Sequence, residues 1–132
     1  MNIMQKKNYS VIIPKDVYPK PSAKEISAAY ILLDFFTKNI QFITRNAGKT
    51  PDFLIDNKYW ELKSPTGDGK RNLQHTVSRA LKQSSYIIID ARFSKIHIAK
   101  IKNYLKNEKS KNKQIKKLLL IDKQKNVIEI LS

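Results

Sequence analysis

The sequence predicts an α+β fold in which helices pack on a mixed, largely antiparallel sheet. Apolar residues recur at helical spacing after Ser22, and alternating runs on either side of Asp56 and Asn57 are typical of a β-hairpin. The run Tyr86–Asp90 is apolar on both faces, as in a central strand. The predicted order is a helix, three strands, a helix, a strand, a helix and two strands, which favours the α+β class.

The chain has 132 residues, enough for one hydrophobic core. We interpret residues 1–20, which contain scattered lysines and prolines, as an extended lead-in and residues 21–132 as a single domain. Residues 1–20 contain no apolar stretch that resembles a signal peptide. The domain is therefore expected to lack a secretion signal of its own.

Charge is the strongest compositional feature of the chain. It has 26 Lys and Arg against 11 Asp and Glu, a formal net charge of +15. Such a balance favours polyanionic partners, nucleic acid first and an anionic membrane surface second. The longest apolar runs have only the length of a strand, so no membrane span is predicted. The absence of cysteine excludes disulfides and suits either a reducing cytosol or a toxin that must refold after transit.

The first helix is predicted from a capping box. The Ser22 hydroxyl is spaced to bind the amide of Glu25, whose side chain reaches back, and Pro21 precedes the box. The helix is expected to end near Lys38. Its predicted core stripe consists of Ile26, Ala29, Tyr30, Leu33 and Phe36.

The next elements are a short strand at 40–44, a loop at 45–51 and a hairpin. A two-residue turn at Asp56-Asn57 pairs Phe53 with Trp60 and Asp52 with Glu61. Strand alternation then separates two faces. The predicted core face contains Phe53, Ile55, Trp60 and Leu62, and the opposite face contains Asp52, Tyr59, Glu61 and Lys63.

Asp52 and Glu61 are candidate catalytic residues because like charges paired across strands are unfavourable unless a cation or a proton stabilises them. Both could bind a divalent metal such as Mg²⁺ while Lys63 positions water or a phosphate oxygen. Without a metal, Glu61 could be the acid or base of an RNA cleavage that uses the 2′-hydroxyl. An ordinary exposed strand face with a weak ion pair is the alternative without chemistry.

The region after the hairpin supplies further candidates. The glycine-bearing loop 66–71 could hold phosphate, Asn72 is a suitable N-cap for a second helix, and His75 faces outward as a candidate acid or base. Arg92, just after the central strand, is a candidate anion anchor. The predicted nucleic-acid-binding residues are Thr66, Lys70, Arg71, Arg79, Gln83 and Arg92.

The remaining residues complete the predicted elements. A third helix is expected from about Ser94 to Glu108, and the lysine-rich segment 106–117 is expected to be a solvated loop. Two final strands, 117–122 and 126–131, are expected to form a terminal hairpin.

Three segments together carry a resemblance to a known family. They are Thr50–Pro65, Gly67–Asn72 and Leu81–Arg92. This combination resembles the C-terminal transfer RNA nuclease domain of CdiA-type contact-dependent growth inhibition toxins, over about residues 22–131. The resemblance implies a fold similar to the barnase, EndoU, colicin E5 and RelE group and cleavage of tRNA in or near the anticodon loop without a metal.

The same resemblance implies an immunity protein that covers the active site, and this partner should be acidic to match the basic surface. It also implies action in the bacterial cytoplasm after delivery as part of a larger protein, and some toxins of this type need a host activating factor. The expected catalytic residues, Asp52, Glu61, Lys63 and His75, follow from the predicted hairpin and helix positions described above and not from the resemblance.

A second family shares part of this pattern. Pro51-Asp52 and Glu61-Leu62-Lys63 resemble the PD-(D/E)XK nucleases, and Gln83 matches a position that is often polar there. That resemblance implies a metal bound by Asp52 and Glu61 and cleavage mostly of DNA. A basic nucleic-acid-binding module without catalysis is a further alternative, since net charge alone gives affinity for phosphates.

Overall fold

The computed structural model describes residues 8–44, 50–67 and 69–131. Within these residues there are three helices and seven strands. In chain order they are β1 (Val11–Ile12), α1 (Ala23–Phe36), β2 (Ile40–Phe42), β3 (Phe53–Ile55), β4 (Lys58–Lys63), α2 (Lys70–Leu81), β5 (Tyr86–Asp90), α3 (Ile98–Lys111), β6 (Lys117–Ile121) and β7 (Val127–Glu129). None of the described helices is both long and apolar enough to cross a membrane.

All seven strands form one sheet, and their spatial order follows the chain from β1 to β7. The pairs β1–β2, β4–β5 and β5–β6 are parallel, whereas β2–β3, β3–β4 and β6–β7 are antiparallel. The predicted α+β class with a mixed sheet is confirmed. Parallel and antiparallel pairings contribute equally to it.

The expected lead-in contributes directly to this sheet. Val11 and Ile12 pair with β2, and the side chain of Val17 is buried in the core beside α1. Residues 1–7 lie outside the part of the chain that the structure describes.

One face of the sheet packs against α1. The capping box at Ser22 and Glu25 is present as predicted, with both of its hydrogen bonds. Tyr30, which the sequence placed in the core stripe, is instead 56% exposed. The buried side of α1 is rotated around the helix axis relative to the predicted stripe. The residues of α1 that are buried are Ala28, Ala29, Leu32 and Leu33.

The other face packs against α2 and α3, but only over half of its width. Here the buried sheet residues belong to β5 and β6 and to the chain just after β7: Ile87, Ile89, Leu118, Leu120 and Ile130. On the same side of β1 to β4 several side chains remain accessible, although Glu61 on β4 is buried. Ile12, Gln41 and Leu54 are half-buried, and Tyr59 is exposed. Strand β4 therefore lies at the boundary between the part of this face that α2 and α3 cover and the part that no described helix covers.

Two helix boundaries differ from the sequence prediction. Helix α2 begins at Lys70 after an N-cap at Gly69, so Asn72 lies in its first turn and is not the cap. Helix α3 begins at Ile98, where the Nδ1 atom of His97 accepts a hydrogen bond from the amide of Ala99. Its end at Lys111 makes the first half of the supposed lysine loop helical.

Candidate active site

The β3–β4 hairpin positions the two carboxylates that the sequence singled out. Asp56 and Asn57 both have positive φ angles, 49° and 65°, as a two-residue type I′ turn requires. The register pairs Phe53 with Trp60, as predicted. Asp52, just before β3, therefore comes beside Glu61 on β4.

Asp52 and Glu61 are both only 5% exposed. The Oδ2 atom of Asp52 accepts a hydrogen bond of 2.8 Å from the amide of Leu62, which fixes this carboxylate against β4. The Nζ atom of Lys63 lies 3.2 Å from Oε2 of Glu61. The three side chains thus form one continuous acid–acid–lysine cluster on one face of the hairpin.

The protonation of Glu61 is strongly perturbed. Burial, followed by the nearby negative charge of Asp52 and a side-chain hydrogen bond with it, raises the pKa of Glu61 to about 8. The positive charge of Lys63 acts in the opposite direction. In the absence of a cation, the pair is therefore most stable with a proton on Glu61 near neutral pH.

A divalent cation is chemically compatible with this cluster. Among the described residues, Oε1 of Glu61 is buried and has no hydrogen-bond partner. Carboxylate oxygens are preferred ligands of hard cations, and a dication would relieve the repulsion between the two carboxylates. No group of three or more His, Asp or Glu in the described part of the chain could hold a metal. A bound cation would thus need water or substrate oxygens beside Asp52 and Glu61.

The other predicted residues lie in different environments. Thr66 is in the loop that follows β4, and His75, Arg71 and Arg79 are exposed on α2. Within the described residues, no hydrogen bond or ion pair joins His75 to the carboxylates. Gln83 follows α2 and is half-buried. The side chain of Lys70 lies outside the described residues.

Arg92 is held by other protein groups. Its Nε and Nη2 atoms donate to the two carboxylate oxygens of Asp90, at 2.9 and 2.8 Å, and Nη2 also donates to the carbonyl of Lys24 at 3.3 Å. Its side chain is 8% exposed, and that of Asp90 is fully buried. Arg92 thus links the end of β5 to the first turn of α1.

Sequence reasoning missed Asp90 and did not reveal that the cluster is buried. Asp90 ends an otherwise apolar strand. A carboxylate at the end of a buried strand needs a positively charged partner, so its position could have indicated a buried ion pair. Strand alternation placed Asp52 and Glu61 on one face of the hairpin. It did not show which other elements pack over that face. Contact between α2 and β4 supplies part of that cover.

The comparisons with known proteins agree with this description. The family model of the contact-dependent growth inhibition CdiA C-terminal domain matches residues 49–127, which contain the whole cluster. A solved structure described as the CdiA-CT/CdiI toxin and immunity complex from Burkholderia pseudomallei has a similar fold. The TM-score is 0.64 at 20% identity, over 93% of this chain and 99% of that one. Among curated proteins there is no significant match.

Proposed function

The chain belongs to the family of contact-dependent growth inhibition CdiA C-terminal domains, and from this premise we propose that it is a toxin nuclease that cleaves tRNA inside bacterial cells. The observation that carries the proposal is the buried Asp52–Glu61 pair beside Lys63 on a chain with a net charge of +15. Burying two like charges lowers the stability of the folded state, and groups with such perturbed pKa values are concentrated at functional sites.

We further propose that Asp52 and Glu61 hold a divalent cation such as Mg²⁺. The buried Oε1 atom of Glu61, which has no partner among the described residues, supports this assignment. When bound, such an ion would act as a Lewis acid toward a phosphate oxygen. The hydrogen bond from the Leu62 amide keeps the Asp52 carboxylate oriented for binding.

Lys63 forms the accessible end of the cluster. Its side chain is 30% exposed, against 6% for Glu61, so the ammonium group can reach a substrate while it remains paired. At this position it would orient a phosphate oxygen or the attacking nucleophile and stabilise negative charge that develops on phosphorus.

A route without a metal is the second candidate, and the raised pKa of Glu61 favours it. A carboxyl group whose pKa is about 8 exchanges a proton near neutral pH and suits general acid–base catalysis. The 2′-hydroxyl of RNA would then be the nucleophile, and Lys63 would stabilise the phosphorane. His75 is the additional acid or base in this scheme.

Substrate binding is assigned to the basic surface around the cluster. Arg71 and Arg79 are exposed on α2, beside β4, and Thr66 lies in the connecting loop. We include Lys70 and Gln83 as secondary contacts, whereas Arg92 is nearly buried and holds Asp90 instead of substrate. Affinity from such cations would be salt-dependent and largely independent of base sequence.

The partner protein is proposed by analogy with the similar structure, which is a toxin and immunity complex. We propose an acidic immunity protein that covers the Asp52–Glu61–Lys63 cluster and complements the positive charge of this chain. Delivery as part of a larger protein and dependence on a host factor are further elements of the proposal.

A cleavage assay tests these assignments together. The purified protein is incubated with total bacterial tRNA and with plasmid DNA, each in EDTA or in Mg²⁺. Discrete tRNA fragments that require Mg²⁺ are expected. Fragments that persist in EDTA would support the route without a metal, and Mg²⁺-dependent nicking of DNA would assign DNA as the substrate. Binding without products from either substrate would reduce the protein to a nucleic-acid-binding module.

Variants connect the activity to the cluster. Glu61→Gln and Lys63→Met should each lower the cleavage rate by about a hundredfold or more. The matched control is the exposed pair Lys117 and Glu129, whose charged atoms are 3.8 Å apart on β6 and β7. Lys117→Met and Glu129→Gln change the same charges away from the cluster and should retain activity. Full activity in Glu61→Gln would exclude this site.

A further inference from the structure

Tyr59 is the exposed aromatic residue beside the candidate active site. It lies on β4 two positions before Glu61, on the same face of the sheet, and is 53% exposed. Residues two apart on a strand are separated by about 6–7 Å. A nucleotide next to the reacting phosphate would therefore be within reach of the Tyr59 ring.

The backbone at Tyr59 is firmly held. Its carbonyl accepts a hydrogen bond of 2.5 Å from the hydroxyl of Ser84, and that hydroxyl in turn accepts one of 2.9 Å from the amide of Tyr86. Ser84 thus connects β4 to the start of β5. Because the backbone is fixed, only the two side-chain torsions of Tyr59 need to be ordered when a ligand stacks on its ring.

The surface next to Tyr59 is basic and rich in hydroxyl groups. A shallow depression of about 420 Å³ is lined by Asn57, Lys58, Tyr59, Ser84, Ser85, Tyr86 and Lys116. No carboxylate is among these described residues. The Nζ atom of Lys58 lies 5.9 Å from the centre of the Tyr86 ring, so its charge is kept at the wall of the depression.

We propose that Tyr59 stacks on an unpaired nucleobase adjacent to the scissile phosphate and that Lys58, Lys116 and the serine hydroxyls bind the next phosphate. The chemistry selects this ligand. Aromatic stacking suits any unpaired base, and lysines with hydroxyl donors suit a phosphodiester. Bases in a duplex are stacked on one another and cannot present a face to Tyr59. The inference rests on the proposed nuclease function and makes single-stranded segments of the substrate its preferred target.

Binding to a variant that cannot cleave tests this assignment separately from catalysis. In the Glu61→Gln protein, affinity is measured for a single-stranded RNA and for a duplex that contains the same sequence. Adding Tyr59→Leu should weaken binding of the single strand about tenfold and change duplex binding by less than about twofold. Tyr59→Phe retains the ring and should keep the affinity. Tyr30→Leu, which removes a similarly exposed tyrosine from α1, is the matched control.

The outcomes distinguish this inference from the proposed function. If Tyr59→Leu and Tyr30→Leu bind the single strand with equal affinity, the stacking assignment is overturned, even where the wild-type protein cleaves RNA. Affinity for poly-glutamate that depends on Tyr59, with RNA binding unchanged, would assign the surface to an acidic protein instead. Circular dichroism checks folding, and Lys63→Met replaces Glu61→Gln if the latter unfolds.

Discussion

Lys63 Nζ lies 3.2 Å from Oε2 of Glu61 on the same face of β4, where Glu61 is buried and Lys63 is partly open to solvent. Because Asp52 is buried beside the same glutamate, Glu61 is influenced by a negative and a positive charge at once. The charge of the cluster as a whole is therefore adjusted through Glu61.

Removing Lys63 should raise the pKa of Glu61 further. In the native protein this pKa is about 8, and Lys63 is the group that lowers it. Lys63→Met is therefore expected to shift the titration of Glu61 to higher pH, and Asp52→Asn should shift it to lower pH. The titration can be followed by NMR of the ¹³C-labelled side-chain carboxyl groups. An unchanged titration in both variants would contradict the arrangement of charges described here, and Lys117→Met is the control.

The free energy of unfolding of the metal-free protein should decrease as the pH rises from about 4.5 to about 8. The pKa of Glu61 has the ordinary glutamate value of 4.5 in the unfolded chain and is about 8 in the folded one, so the folded state binds more protons across this window. The stabilising contribution is complete below pH 4.5 and is lost above pH 8. Urea unfolding at several pH values measures it. Glu61→Gln should flatten this part of the pH dependence, whereas Glu129→Gln should not.

Divalent cations should stabilise the folded protein, and more strongly at pH 8 than at pH 6. Binding requires ionised carboxylates, so protons compete with the metal at the lower pH. The melting temperature is measured with and without millimolar Mg²⁺ or Mn²⁺. Asp52→Asn and Glu61→Gln should each abolish the increase, and Glu129→Gln should keep it. An equal increase in all four proteins would indicate nonspecific binding and remove the support for a metal.

Local patterns predicted much of this fold and part of the site. The capping box at Ser22 and the turn at Asp56-Asn57 depend on neighbouring residues only, and both were predicted correctly. The hairpin register followed from that turn, so the proximity of Asp52 and Glu61 was available from the sequence.

Features that depend on contacts between residues far apart in the sequence could not be predicted from local patterns. The exposure of Tyr30 depends on how α1 is rotated over the sheet, and the burial of Glu61 depends on what packs over β4. The end of α3 at Lys111 shows the same effect: a lysine-rich segment is typical of a loop, although Ile101 and Leu105 anchor the helix in the core. Arg92 was predicted to bind substrate because Asp90 was read only as the last residue of a strand. Its role as the ion-pair partner of Arg92 was not recognised.

Breaking the Asp90–Arg92 pair should destabilise the protein strongly. Arg92→Met leaves a fully buried carboxylate without its two guanidinium hydrogen bonds, which typically costs about 3–5 kcal/mol. Lys117→Met breaks the exposed pair with Glu129 and should cost less than about 1 kcal/mol. Urea unfolding of both variants gives the comparison. Equal costs would mean that Asp90 is not buried as described.

Asn57 offers a test of how the turn controls the site. Its φ of 65° is favourable for glycine and strained for β-branched residues, so Asn57→Gly should retain or slightly increase stability, and Asn57→Val should cost about 1–2 kcal/mol. Because the turn sets the register that brings Asp52 beside Glu61, the pKa of Glu61 should remain raised in Asn57→Gly. Urea unfolding and the carboxyl titration measure both quantities. A normal glutamate pKa in a stable Asn57→Gly protein would show that the register, and with it the carboxylate pair, depends on the asparagine side chain and not on the backbone conformation of the turn.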